Sequence, residues 1–107
     1  MTTIKVFEIT GRNAISMQKG NLIYEILAQN YKSHEKVILD FEGVALFASP
    51  FFNASVGHLL KDITVQELLQ FMKPLNLNET GKDLLNLVIA NAIKFYSNHN
   101  KETHPEL

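Results

Sequence analysis

Two short apolar runs and the uncharged stretch that follows them dominate the hydrophobic pattern of the chain. Residues 37–41 form the first run and residues 44–47 the second, with a Glu-Gly turn between them. A helix is predicted over 50–60, and no residue in 44–60 carries a charge when histidine is neutral. Short apolar runs bounded by turn residues are typical of buried strands. The region therefore predicts two strands that lead into a helix whose surface is not exposed to water.

The first part of the chain has a strand pattern followed by a helix pattern. Alternating apolar and polar residues predict a strand over 3–9. Apolar residues at helical spacing predict a helix over 17–31, with Ser16 as its N-cap. Gly20 destabilises this helix by about 1 kcal/mol relative to alanine. Because glycine has no side chain, we expect it to allow the helix to approach a strand closely.

The last part of the chain contains a capping signal, an extended segment and a long helix. Thr64 and Glu67 match a capping box, which predicts a short helix to about Leu69. An extended segment over 70–77 should lie at a sheet edge, because its proline has no amide hydrogen to donate. The final helix is predicted over 79–96 by a broad apolar stripe.

This order of elements predicts an α/β fold, with a mixed sheet of four to five strands and three to four helices packed on it. The length of the chain suits one domain. We assign it to residues 1–97, with a flexible C-terminal tail over 98–107. The residues that we expect to be largely buried are Ile38, Leu39, Phe41, Leu84 and Val88.

Composition excludes several classes of function. The net charge is −1 and arginine occurs once, so the basic patch of a nucleic-acid-binding protein is not expected. Without cysteine the chain has no disulfide, thiolate metal site or thiol nucleophile. No apolar leader or membrane-spanning stretch is evident, and the uncharged run is too short to span a bilayer. We expect a cytoplasmic protein without membrane contact.

Catalytic and metal chemistry is not predicted either. The four histidines do not occur at the i, i+4 spacing of metal-binding helices. No nucleophile, acid and base can be assembled into a set. We therefore expect a protein that is not an enzyme and has neither a metal nor a cofactor.

Ser49-Pro50 has two interpretations. A serine before a proline at a helix start is a common N-cap pairing that needs no function. Alternatively, Ser49 is a phosphorylation site, because a phosphate is electrostatically favoured at a helix N-terminus.

Asp40 and Phe41 are the candidate ligand-binding residues, because open α/β sheets often bind ligands at strand ends. The alternative is that Asp40 only stabilises the turn.

The predicted helix over 50–60 is apolar on more than one face. Such a helix is buried on both sides or covered by a partner. The alternatives are self-association, another protein and plain core packing. The candidate partner-binding residues are Phe51, Asn53, Ser55 and His58.

The order and spacing of these motifs resemble the STAS fold, the domain of bacterial anti-sigma factor antagonists. The chain is most similar to the STAS-like branch of unknown function, over about residues 3–96. The segments that carry the resemblance are Gly11-Arg12, Ala14-Ile15-Ser16 with Gly20, residues 37–44, Ser49 with Phe52, and residues 71–79.

One turn departs from the antagonist pattern. Antagonists of this fold usually have an Asp-Ser-Ser/Thr-Gly turn whose second hydroxyl residue is phosphorylated. This chain has Pro50 at that position, with Ser49 immediately before it. Asn53, Ala54 and Ser55 stand where the STAS-like branch often carries acidic residues.

The resemblance implies a non-catalytic regulatory module that docks on a protein partner through the Ser49 turn and the following helix. The implied partner is an ATPase of the histidine-kinase-like type, and a homodimer is the other arrangement considered. The runner-up is a sensor of a small ligand or nucleotide, with a closed pocket lined by Asp40, Phe41 and Ser49.

Overall fold

The structure is a computed structural model that describes the backbone of residues 1–102 and the side chains of residues 1–96. The helices are α1 Phe7–Thr10, α2 Met17–Lys32, α3 Ser49–Phe52, α4 Val65–Phe71 and α5 Glu79–Glu102. The strands are β1 Thr2–Lys5, β2 Asn13–Ala14, β3 Val37–Asp40, β4 Leu46–Phe47 and β5 Met72–Leu75. Helix α5 includes the first part of the predicted tail, and residues 103–107 lie outside the described residues.

The strands form two small parallel sheets rather than the single mixed sheet that the sequence predicted. One has three strands in the order β1-β3-β5, and the other pairs β2 with β4. A mixed α/β fold is therefore confirmed, while a continuous sheet of four to five strands is not. The difference arises because β4 pairs with β2, a two-residue strand that the sequence did not predict, and not with the three-stranded sheet.

Predicted strand 3–9 ends at Lys5, after which the chain turns into α1. The backbone N–H of Thr10 donates to the carbonyl of Val6, and this helical turn replaces the second half of the expected strand. Predicted strand 44–47 shrinks in the same way to Leu46–Phe47, because Val44 still belongs to the preceding turn. An alternating pattern or a short apolar run also fits a turn that buries single residues, so these patterns overestimated both lengths.

Several local predictions are confirmed. The Ser16 hydroxyl accepts the Lys19 amide and caps α2, while Thr64 and Glu67 form the complete capping box of α4. The Glu-Gly turn is present, with Gly43 at φ 90°. Pro74 lies on β5, an edge strand, as its missing donor requires.

The core lies between the sheets and the helices. Leu39, Phe41 and Val88 are buried as predicted. Ile38 and Leu84 are only partly buried. Leu85, the residue after Leu84 on α5, is the one that faces the core. Its burial sets the rotation of α5 about its own axis.

The centre of the fold is a helix over 49–59, which we call the central helix. It starts as α3 and continues as a π-helical segment, Asn53–Gly57. Helices α2 and α5 both pack against it. A methyl group on Gly20 of α2 would lie 2.5 Å from the carbonyl oxygen of Phe51. Gly20 therefore permits a close approach to a helix, and not to a strand as predicted.

Candidate functional site

Much of the uncharged stretch is buried in the core of the domain. Phe51, Phe52, Ser55 and Val56 are all fully buried, because α2 and α5 cover the central helix. The ring of Phe52 stacks on Phe47 at 5.6 Å, and further rings pack edge-on around this pair. The missing charge is thus explained within the chain, by plain core packing.

This placement corrects the predicted partner-binding set. Phe51 and Ser55 expose no surface, so neither can contact a partner unless the core opens. Asn53 is exposed, and His58 is partly buried with its ring stacked on Tyr24 at 4.1 Å. Only these two of the four residues remain available at the surface.

Ser55 instead has a structural role in the π-helical segment. Its hydroxyl donates to the carbonyl of Phe51 at 2.8 Å and lies 3.5 Å from that of Phe52. A π-helical segment disturbs the regular i→i−4 ladder of hydrogen bonds. A serine hydroxyl that bonds back to a carbonyl one turn earlier often bends a helix, and here the bond also satisfies a buried polar group. Sequence periodicity carried no signal for it.

Ser49 does not cap the central helix. The N-cap residue is Ala48, which makes no side-chain capping bond, and Ser49 is already the first helical residue. The capping interpretation is therefore corrected. Ser49 is partly buried and Pro50 is exposed, so the turn lies at the surface above the aromatic core.

Exposed apolar side chains occur on the strand before this turn, directly after its pairing partner β2, and at the first residue of α2. Strands β2 and β4 pair in parallel, and the Ala48 amide donates to the Ala14 carbonyl at 3.1 Å. This pairing brings Ile15 next to the Ser49 turn, while Leu46 lies on the neighbouring strand. Ile15, Met17 and Leu46 are 46%, 60% and 60% exposed. We call these three residues, with Ser49 and Pro50, the turn patch.

Sequence analysis missed the turn patch because its residues come from separate segments. The sequence signal that could have revealed it is the alternation of inward-facing and outward-facing side chains along a strand. Ala14 and Phe47 pack inward in paired register, so the adjacent Ile15 and Leu46 must point the other way. That inference requires knowing that β2 pairs with β4.

Asp40 lies at the carboxyl end of β3, between β1 and β5. Its Oδ1 accepts hydrogen bonds from the Asn76 side-chain amide at 2.9 Å and the Glu42 backbone amide at 3.0 Å. These bonds, the Asn76 bond first, hold the pKa of Asp40 below its ordinary value, with a smaller contribution from Lys5 and against partial burial.

The sign of this pKa shift gives its effect on stability. A lowered pKa in the folded state stabilises the fold above the ordinary pKa, and this contribution is lost as the pH falls through the lowered value. Asp40 therefore stabilises the strand end and its turn at neutral pH. This geometry matches the alternative in which Asp40 is a turn residue.

The cleft beside Asp40 differs from the pocket expected for a sensor. Its volume is about 210 Å³, and its lining residues are Lys5, Phe7, Glu8, Asp40 and Glu42. Phe41 is fully buried and packs edge-on against Phe47 and Phe52. Neither Phe41 nor Ser49 lines the cleft, which corrects both assignments. Small-molecule sites usually enclose about 300–1,000 Å³.

A larger cleft, of about 770 Å³, lies between α2 and the segment 59–63. Its charged residues are Glu25, Lys32 and Asp62, and it includes neither Ser49 nor Asp40. Within the described residues, no three acidic or histidine side chains are grouped to hold a metal ion. None of the described helices is both long and apolar enough to cross a bilayer.

Comparison with known proteins identifies the family. The model of the STAS-like domain of unknown function (DUF4325) matches residues 19–82, more than half of the chain. The chain belongs to this family. No curated protein and no solved structure matches the chain.

Proposed function

We propose that this domain is a non-catalytic regulatory module that docks on a protein partner through the turn patch. The observation that carries the proposal is the exposure of three apolar side chains, Ile15, Met17 and Leu46, in the segments that pair with or flank the Ser49 turn. Exposed apolar residues that cluster around a polar group are typical of protein-interaction sites.

The buried central helix supports the proposal because it holds the Ser49 turn in place. It is held between α2 and α5, so the Ser49 turn above it has a fixed position. A site built on a rigid element loses less conformational freedom when a partner binds. Asn53 follows Ser49 by one helical turn and is exposed, so we include it as a rim residue of the proposed docking surface.

The proposed partner is an ATPase of the histidine-kinase-like type, which is what resemblance to anti-sigma factor antagonists implies. Phosphorylation of Ser49 would regulate docking. A phosphoserine adds a charge of about −1.5 to −2. In the turn patch this charge would have to be desolvated on docking, so it would release the partner.

The test is quantitative capture of candidate ATPases, with ATP or ADP present, by the wild-type chain and by Leu46→Glu. We expect Leu46→Glu to abolish capture, because it buries an unpaired charge in the interface. Leu69→Glu is the matched control, since Leu69 is 65% exposed on α4, away from the turn patch. Equal capture by wild type and Leu46→Glu would exclude the turn patch as the docking surface.

Regulation is tested separately. After incubation with the ATPase and ATP, phosphopeptide mass spectrometry should detect modified Ser49, and Ser49→Glu should capture less partner than Ser49→Ala. An ATPase that binds the turn patch but never modifies Ser49 would retain the docking proposal and exclude phosphorylation control.

A further inference from the structure

The outward face of α5 carries a second surface, formed by a different set of residues. Gly81, Leu85 and Val88 face the core. On the opposite side, residues at i, i+3, i+4 and i+7 spacing are all exposed. We call them the outer stripe: Asp83, Asn86, Leu87, Ala90, Ile93 and Lys94.

The outer stripe is unusual for a helix that faces water. No residue in 84–93 carries a charge, whereas the exposed positions of α2 include Lys19, Glu25 and Lys32. Solvent-facing sides of helices normally carry charged residues. Leu87 and Ile93 are 54% and 44% exposed within this uncharged stretch.

The charges at the two ends of the stripe have opposite signs. Asp83 lies at its N-terminal end and Lys94 at its C-terminal end. A helix rises about 1.5 Å per residue, so the two residues are about 16 Å apart along the axis and cannot pair with each other. Neither makes an ion pair or side-chain hydrogen bond within the described part of the chain.

We propose that the outer stripe binds a second copy of this chain, with the two α5 helices antiparallel. A two-fold axis at the middle of the stripe would place Asp83 of each copy opposite Lys94 of the other. The same register would place the large Leu87 of each copy opposite the small Ala90 of the other. Opposite charges and large-to-small packing are therefore satisfied together.

Self-association accounts for this pattern better than an unrelated partner does. A two-fold interface must be complementary to itself. A stripe that is neutral in the middle and oppositely charged at its ends meets that condition only when two copies run antiparallel. A parallel pair would place like charges together, which is unfavourable. The antiparallel pair also sets the two helix dipoles in opposite directions.

The inference is independent of the proposed function, because the turn patch and the outer stripe share no residue. The test is sedimentation of the full chain over the micromolar to millimolar range. We expect a reversible dimer for wild type and monomer for Leu87→Glu at the same concentrations. Leu69→Glu is the matched control and should remain dimeric, as should Leu46→Glu. Circular dichroism confirms that each variant is folded.

A charge swap tests the antiparallel register. Asp83→Lys alone and Lys94→Glu alone should each weaken the dimer at least several-fold, because each creates two like-charged pairs. The double variant Asp83→Lys/Lys94→Glu should restore wild-type dimerisation. A monomeric wild type, a dimer unaffected by Leu87→Glu, or a double variant that is no better than the single variants would each overturn the proposal.

Discussion

The central helix and the middle of the outer stripe of α5, between Asp83 and Lys94, both lack charge, yet they lie in opposite environments. The central helix is enclosed by α2 and α5, and its Phe51, Phe52 and Ser55 have no exposed surface. The outer stripe faces away from the core, with Leu87 more than half exposed. From their sequences alone, both segments would be expected to have the same degree of burial.

The difference shows what an uncharged helical segment does and does not indicate. Absence of charge is typical of a surface that is covered, because apolar faces are disfavoured in water. Whether the cover comes from the same chain or from another depends on where neighbouring elements pack. Predictions that place identical changes in both helices therefore separate the two cases.

The largest expected effect is that of a charge placed in the central helix. Ser55→Glu would bury an unpaired carboxylate, which costs at least about 3 kcal/mol, and would remove the hydroxyl that bonds to Phe51. We expect a chain that does not fold, as measured by circular dichroism and heteronuclear NMR. Ala90→Glu on the outer stripe is the comparison and should fold normally. A folded Ser55→Glu would mean that the central helix can leave the core.

Removal of apolar side chains should show the same contrast. Phe52→Ala should cost about 3–5 kcal/mol in urea unfolding, since Phe52 is fully buried within the aromatic cluster. Leu87→Ala should change monomer stability by less than about 0.5 kcal/mol when measured at high dilution. Similar losses for the two variants would contradict the assigned environments.

The close packing of α2 on the central helix can be tested at Gly20. A methyl group there would lie 2.5 Å from the Phe51 carbonyl and 2.9 Å from the Cβ of Ala54. We expect Gly20→Ala to destabilise the domain by about 1–3 kcal/mol, although alanine favours helices. Gly81→Ala on α5 is the comparison, because its nearest neighbour is the movable end of Leu77. Its loss in thermal unfolding should be smaller.

The smallest effect concerns the start of the central helix. Ser49 makes no capping bond, so Ser49→Ala should change the free energy of unfolding by less than about 0.5 kcal/mol. Thr64→Ala, which removes the capping box of α4, should cost about 1 kcal/mol. Denaturant titration of both variants measures the difference. A larger loss for Ser49→Ala would restore the capping interpretation.

The features that could be predicted from sequence have causes that lie within a few residues. The Ser16 cap and the Thr64-Glu67 capping box need only neighbouring backbone amides. The edge position of Pro74 follows from its missing N–H. The order of the longer strands and helices follows from periodicity and turn residues, although α1 and β2 were not predicted.

The candidate site depended on partners far away in the chain. Phe51 and Ser55 looked available because periodicity cannot show that two helices cover both faces of a third. The turn patch requires the pairing of β2 with β4, and the fixed geometry of Asp40 requires Asn76.

Sequence by itself determined the local signals of this protein: its helix starts, its turns, its family and the positions that avoid charge. Tertiary structure alone decided which uncharged surface became core and which remained outside. The physical reason is that burial depends on the summed packing of distant elements, whereas caps and turns depend on hydrogen bonds within one turn of the chain.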